Sequence, residues 1–312
     1  MLTSRPSVYL SGDFRLTGSQ TEDDLNAQKL VPTSKFGWTA LVSFTGIAKT
    51  NRGLDVGDWV SARLQAIPID AEFDELPKAL LAADHWLSKV SGYRKLAFSV
   101  VGFIHRRPVA MVISNFLDMD GNEFGPLAKL RLFESRPKKP EVRIVGDKRD
   151  VSSTQIGHLK KLLSENKQPQ DIHRAMAQVN ASAHRARPAS TISEECVTGH
   201  LLPSGAGEVM PHGIDDQVEY MPGFVRRHLY EAGVRGFQVR MDETGQPLPP
   251  RWVGMTMKTQ NNAVINLHSI RNVEEPIGSK STNPNLKAFW KFAEANEPRH
   301  VTFTLTPKPP AQ

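Results

Sequence analysis

Residues 95–117 read Lys-Leu-Ala-Phe-Ser-Val-Val-Gly-Phe-Ile-His-Arg-Arg-Pro-Val-Ala-Met-Val-Ile-Ser-Asn-Phe-Leu. Two runs rich in β-branched and aromatic residues, 95–104 and 109–117, flank His105-Arg106-Arg107-Pro108, which predicts two strands and a turn. Both runs are almost continuously apolar, as expected of strands covered on both faces. Asp118-Met119-Asp120-Gly121-Asn122 follows with the chemistry of a turn.

Working outward, residues 7–13 predict a short strand entering a polar turn, and residues 39–48 a buried strand. A helix follows, with Val56, Trp59, Val60, Leu64 and Ile67 at helical spacing and Asp55 as its cap. A second carries Leu76, Leu80, Ala83, Leu87 and Val90 as one stripe, with Pro77 in the first turn, where the missing N–H costs nothing. On the far side of the hairpin, Ser152-Ser153-Thr154-Gln155 is a capping-box pattern. It opens a helix with Ile156, Leu159 and Leu163 on one face. Another helix starts at Asp171 and carries Ile172, Ala175, Met176, Val179 and Ala183, with Pro188 beyond its end. A strand runs from Ile192 to Leu202. Helix pairs inserted between β runs can cover both faces of a stacked pair of sheets. From Gly205-Ala206-Gly207 the texture becomes loop-rich. A hairpin is predicted at 236–257, turning around Glu243–Pro247, then a helix at 285–295 and a strand from His300 to Leu305. Two regions are therefore expected, 1–205 and 206–312, the second an extension or small domain.

The 312 residues, 39% hydrophobic and 23% charged, describe an ordinary globular chain. No segment approaches the roughly 20 unbroken apolar residues of a membrane span, and the first residues hold no apolar run that could serve as a secretory signal. Cys196 is the single cysteine, so no internal disulfide can form. A cytoplasmic location is the expectation. The net charge of +6 reads as a mildly basic surface. Its densest cluster, Arg136-Pro137-Lys138-Lys139, is broken by proline, so neither a nucleic-acid nor a membrane partner is expected. No phosphate-binding glycine loop precedes a helix. The histidines show no metal-ligand spacing, and His184, His200 and His212 are too scattered for zinc. No cofactor and no metal are expected. Cys196, in an apolar strand, reads as a buried small residue rather than a nucleophile. Trp59, Trp86 and Trp290 read as core.

Several short segments carry a resemblance. Ser11-Gly12-Asp13-Phe14-Arg15-Leu16-Thr17 resembles the Asp-x-Arg segment near the start of proteasome β subunits and their bacterial relatives. Asn26-Ala27-Gln28-Lys29-Leu30 resembles the segment that holds that family's active-site lysine. Ser43 to Ala48 is similar to the small-residue strand end before the first helix, and Asp118 to Asn122 to the turn of the central hairpin. Thr191-Ile192-Ser193-Glu194-Glu195 stands where the family has a Ser-Gly-Gly turn. The likeness spans roughly 7–204 and rests on shared order rather than any single motif.

The resemblance implies an α+β four-layer αββα sandwich of the Ntn-hydrolase type, with a C-terminal extension. It also implies amide (peptide) hydrolysis by a Thr, Ser or Cys at the mature N-terminus, whose free amine acts as base. Asp13 would then orient, Arg15 would pair, Lys29 would be the electrostatic centre, and Ser193 would match the late serine near the amine. The family's aspartate three places before that serine is replaced by Ser190. The nucleophile should open a strand about 16 residues before the aspartate, yet only 12 residues precede Asp13. Thr3 is too close to Asp13 to serve, and Leu2 disfavours removal of Met1. Either the start lies upstream of Met1 and restores the nucleophile, or the chain is a non-catalytic scaffold or assembly subunit of the same fold. Self-assembly into a homo-oligomer is expected in both cases. Without the resemblance, Asp13 and Arg15 read as a surface ion pair or turn, and Lys29 as a solvated lysine.

Overall fold

The computed structural model describes residues 1–3, 7–16, 22–23, 29–35, 37–68, 70–187, 192–212, 255–258, 264–267 and 301–304. It is a mixed α and β structure built on two antiparallel sheets.

The first sheet has five strands: β5 (Leu30–Lys35), β6 (Trp38–Gly46), β7 (Leu96–Ile104), β8 (Arg107–Ser114) and β9 (Arg131–Ser135), side by side in that order. The hairpin predicted at 95–117 is its centre, with Phe98 opposite Ile113 and Val100 opposite Met111. The turn is tighter than the sequence suggested. Arg107 and Pro108 belong to β8, and the two-residue loop His105–Arg106 takes positive φ at both positions, 47° and 66°. Such a turn matches the twist of the flanking strands even without glycine or asparagine. Gly102 in β7 has a steric reason, since a Cβ there would stand 2.1 Å from the Thr39 carbonyl of the neighbouring strand.

The second sheet has eight strands in the order β10, β1, β2, β11, β12, β15, β14, β13. Their ranges are β1 (Leu2–Thr3), β2 (Val8–Asp13), β10 (Glu141–Val142), β11 (Cys196–Leu201), β12 (Ala206–His212), β13 (Met255–Lys258), β14 (Val264–Leu267) and β15 (Val301–Thr304). A two-residue ladder, β3 (Arg15–Leu16) with β4 (Glu22–Asp23), stands apart. Strand β15 falls where the sequence predicted 300–305. The predicted turn at 243–247 and the helix at 285–295 lie outside the described residues.

Helices α1 (Val56–Ala66) and α2 (Glu75–Leu81) pack on the five-stranded sheet, while α4 (Ser153–Ser164) and α5 (Pro169–Ala186) pack on the eight-stranded one. Their apolar stripes explain this. Val56, Val60, Leu64, Leu76 and Leu80 join Phe44, Phe98 and Met111 in one buried cluster. Leu159, Leu163, Ile172 and Met176 join Leu2 and Tyr9 in another. The stripe predicted as one helix over 76–90 is broken. After α2 the backbone tightens, Ala83 N–H bonding Leu80 O at 3.0 Å and Trp86 N–H bonding Ala83 O at 3.1 Å. A short α3 (Asp84–Leu87) then begins, yet Leu76, Leu80, Ala83 and Leu87 all remain buried. The capping box of α4 forms as expected between Ser152 and Gln155. Asp55 stands at the N-cap of α1 but makes no side-chain cap bond.

The sheets also meet each other. Strands β2 and β11 contact β5 and β6, and two glycines permit the approach. A Cβ on Gly199 of β11 would stand 3.0 Å from Leu30 Cδ1, and one on Gly12 of β2 would stand 2.9 Å from Ser43 Oγ and 3.3 Å from the Lys29 carbonyl. No helix among the described residues is long and apolar enough to cross a membrane.

Candidate functional site

At the end of β2 the chain turns, and a set of side chains converges there. Asp13 Oδ1 accepts the Arg15 N–H at 2.8 Å, closing a local turn. The Ser193 N–H also donates to the Asp13 carboxylate. Lys29, at the entry of β5, is 3% exposed. Its ammonium donates to the Arg15 carbonyl at 2.9 Å and lies 4.7 Å from the centre of the Phe44 ring. The Asp13 carboxyl is pushed above the ordinary aspartate range by desolvation, against the pull of the Lys29 charge and the backbone N–H bonds. Desolvation favours the neutral acid, while a nearby cation favours the anion.

Ser193 is fully buried. Its hydroxyl donates to Glu195 O at 2.6 Å and accepts the Phe14 N–H at 3.0 Å. The loop that holds it is fixed from α5, where Asn180 Nδ2 donates to Ser193 O at 2.8 Å and to Glu194 O at 3.0 Å, and His184 Nδ1 meets Ile192 O at 3.0 Å. These side-chain bonds replace a ladder, so the strand predicted from Ile192 begins only at Cys196. The four sequence candidates thus share one place: Asp13, Arg15 and Ser193 are linked through main-chain groups, and Lys29 through the Arg15 carbonyl. Arg15 contributes its backbone to both links.

A cavity of about 140 Å³ adjoins this end of β2. Asp13, Ser43, Arg143, Asp147 and Asn180 supply polar walls, and Leu10, Met176 and Val179 apolar ones. Arg143 is braced by Glu141 at 2.8 Å and Asp120 at 2.9 Å, and Asp147 is held ionised chiefly by Arg149. The Met1 amine reaches the same wall, donating to Arg143 O at 2.6 Å, with its pKa lowered to about 5 by burial and then by the Arg143 charge. Thr3 pairs with Val8. That is five residues from Asp13 along β2, about 16 Å at 3.3 Å per residue, so Thr3 does not reach the Asp13–Lys29 pair.

Cys196 is fully buried and its thiol is pushed up to about 12 by desolvation, which suits the packing role read from the sequence. The histidines differ from their reading as scattered. His173 of α5, His200 of β11 and Glu208 of β12 lie together, all buried. His173 Nε2 is 3.0 Å from His200 Nδ1, and His200 Nδ1 is 3.6 Å from Glu208 Oε2. Thr198 Oγ1 lies 2.6 Å from His173 Nδ1, 2.8 Å from His212 Nε2 and 3.3 Å from Met210 O. Burial lowers the pKa of His200 and of His212 to about 4 and raises that of Glu208. The sequence signal was cross-strand rather than linear. His200 stands opposite Glu208, Thr198 opposite Met210 and Cys196 opposite His212, a pattern visible only once the β11–β12 register is known.

No protein-family model and no curated protein matches the chain. Among solved structures, it is similar to Anbu (ancestral beta-subunit) from Yersinia bercovieri, with a TM-score of 0.39 and 12% identity over 68% of this chain and 79% of that one.

Proposed function

We propose that the chain is a relative of the Ntn hydrolases of proteasome-subunit type, arranged as helices, sheet, sheet, helices in four layers, with 206–312 as an extension. In this reading the Asp13 end of β2 is where a peptide or other amide bond is hydrolysed. The observation that carries it is the buried Lys29 ammonium, held on a backbone carbonyl and an aromatic face beside the Asp13 carboxyl, next to a cavity. Burying an ammonium costs several kcal/mol, and perturbed charges in clefts gather where chemistry needs them. Lys29 would favour the neutral form of a neighbouring amine and stabilise a developing oxyanion. Asp13 would hold the loop that positions Lys29. Ser193, with its proton on Glu195 O, would fix the loop between α5 and β11.

In this reading the β1–β2 register gives the nucleophile its expected place. Leu2 faces Tyr9 and Thr3 faces Val8, so paired numbers sum to 11, and the same register carried on would set Met1 opposite Leu10. A residue opposite Asp13 is three places ahead of Met1 on the same line. A Thr, Ser or Cys there, at the mature terminus, completes the reaction in this reading. The test is to express the gene with its own upstream region, determine the mature N-terminus by mass spectrometry, and assay fluorogenic peptide amides with and without Lys29→Ala. Turnover that vanishes in the variant supports the assignment, and turnover that persists excludes this site. A mature chain opening at Met1 with no turnover supports the second reading, a non-catalytic assembly subunit, for which the distance of Thr3 from Asp13 speaks. Light scattering then reports whether it forms the homo-oligomer that this role requires.

A further inference from the structure

We propose that His173, His200 and Glu208 form a binding site for a divalent transition metal of the zinc class, which ties α5 to strands β11 and β12. The three side chains come from three elements, so the fold itself assembles them. They present two imidazole nitrogens and a carboxylate oxygen, all within 4.8 Å of one another. A tetrahedral zinc ion with bonds of about 2.05 Å separates its ligand atoms by about 3.3 Å. The two measured edges, 3.0 and 3.6 Å, bracket that value. The longer is past an ordinary hydrogen bond but close to the edge of such a tetrahedron.

The surroundings prepare the donors. Thr198 can give its single hydroxyl proton to the Met210 carbonyl, which accepts only. It then accepts from both His173 Nδ1 and His212 Nε2. That assignment places the lone pair of His173 on Nε2, the atom facing His200. Metal-bound histidines characteristically donate their second ring N–H to a fixed acceptor in this way. The Tyr9 ring packs against both imidazoles, with centroids 5.7 and 5.5 Å away, and limits their rotation. Two imidazoles with one carboxylate suit zinc and its neighbours rather than magnesium or calcium, which take oxygen sets.

The full-length chain, stripped with a chelator, is titrated with Zn²⁺ and separately with Co²⁺. One equivalent of zinc should bind and raise the thermal midpoint, and cobalt should show the visible ligand-field bands of a tetrahedral nitrogen–oxygen site. Glu208→Gln and His200→Asn should abolish the bands and the thermal shift. Thr198→Val, which removes the acceptor for His173 and His212 and the donor to the Met210 carbonyl but no metal ligand, should weaken zinc by about 10–100-fold. The proposal is overturned if wild-type protein gives no cobalt bands and no zinc-dependent shift, or if folded Glu208→Gln binds as wild type does. Should the variants fail to fold, the wild-type cobalt spectrum decides alone.

Discussion

Replacing Lys29 by methionine keeps a chain of similar length and removes its charge. Several contributions change. The ammonium loses its bond to the Arg15 carbonyl at 2.9 Å, of a kind worth about 1.5–3 kcal/mol. The contact with the Phe44 ring at 4.7 Å adds about 0.5–2 kcal/mol. Against these, methionine avoids the desolvation of an ammonium, which costs several kcal/mol. Taken alone these nearly cancel, so the sign rests on Asp13, whose carboxylate loses its opposing charge. Asp13 is only half-buried, and water screens part of that loss. A net destabilisation of about 1–3 kcal/mol is expected at neutral pH.

The pH dependence distinguishes this account from simple loss of packing. Asp13 already has a folded pKa above its unfolded one, because burial disfavours its charge. Such an acid contributes stability that is full below the unfolded pKa and lost as pH rises through the folded pKa. Removing Lys29 raises the folded pKa further, while the Cys196 thiol, pushed up to about 12, stays neutral throughout. The penalty of Lys29→Met should therefore be small near pH 4 and grow toward pH 7. In an Asp13→Asn background the growth should disappear, and the double variant should regain more than half of the neutral-pH loss. Urea denaturation of the four proteins at both pH values measures this cycle. An additive cycle, or a penalty that is the same at pH 4 and 7, would refute the coupling of Lys29 to Asp13.

Ser193→Ala removes the acceptor of the Phe14 N–H in a fully buried place, and should cost about 1–3 kcal/mol in denaturant midpoint measurements. Gly199→Val introduces branches against Leu30 and Leu41 where the two sheets meet and should lower stability by about 1–3 kcal/mol or more, whereas the same change at exposed Gly157, whose Cβ would meet nothing, should not show overpacking. Cys196, neutral up to about pH 12 and fully buried, should react with a thiol reagent at the rate of local or global opening, so that added urea accelerates labelling far more than a rise from pH 7 to 9 does.

The parts of the fold legible in the sequence are those whose physics is local. The 95–117 hairpin announces itself because both strands are apolar on both faces, and both faces are in fact covered. The capping box at Ser152 and Gln155 involves residues three apart, so its geometry is written in a tetrapeptide. Strand β5 was missed for the opposite reason. Pro32, Thr33, Ser34 and Lys35 look polar and breakable, yet Thr33 and Lys35 are buried, and Lys35 donates to the Ile67 carbonyl at 2.5 Å. A proline is admissible there because β5 is an edge strand of its sheet. The partner that makes Lys35 tolerable lies 32 residues away, and no window on the sequence contains both.

The same division runs through the two polar clusters. Asp13 and Arg15 are two residues apart and their bond is a turn, so a short motif could flag them. Lys29 joins them across a segment of 14 residues, and only resemblance placed it there. The histidine cluster had neither aid. His173 sits among Ile172, Ala175 and Met176 on the buried face of α5, where a lone histidine reads as core. His200 and Glu208 are eight apart, a spacing with no helical or linear meaning. Their meeting depends on the turn at 202–205, where Gly205, with φ of 86°, sets the register of β11 against β12. A slip of one residue there would send Glu208 to the face toward the five-stranded sheet and dissolve the cluster. Lengthening that turn by one residue should therefore remove the proposed metal affinity while leaving the Lys29 site, which hangs on the far end of β2, in place.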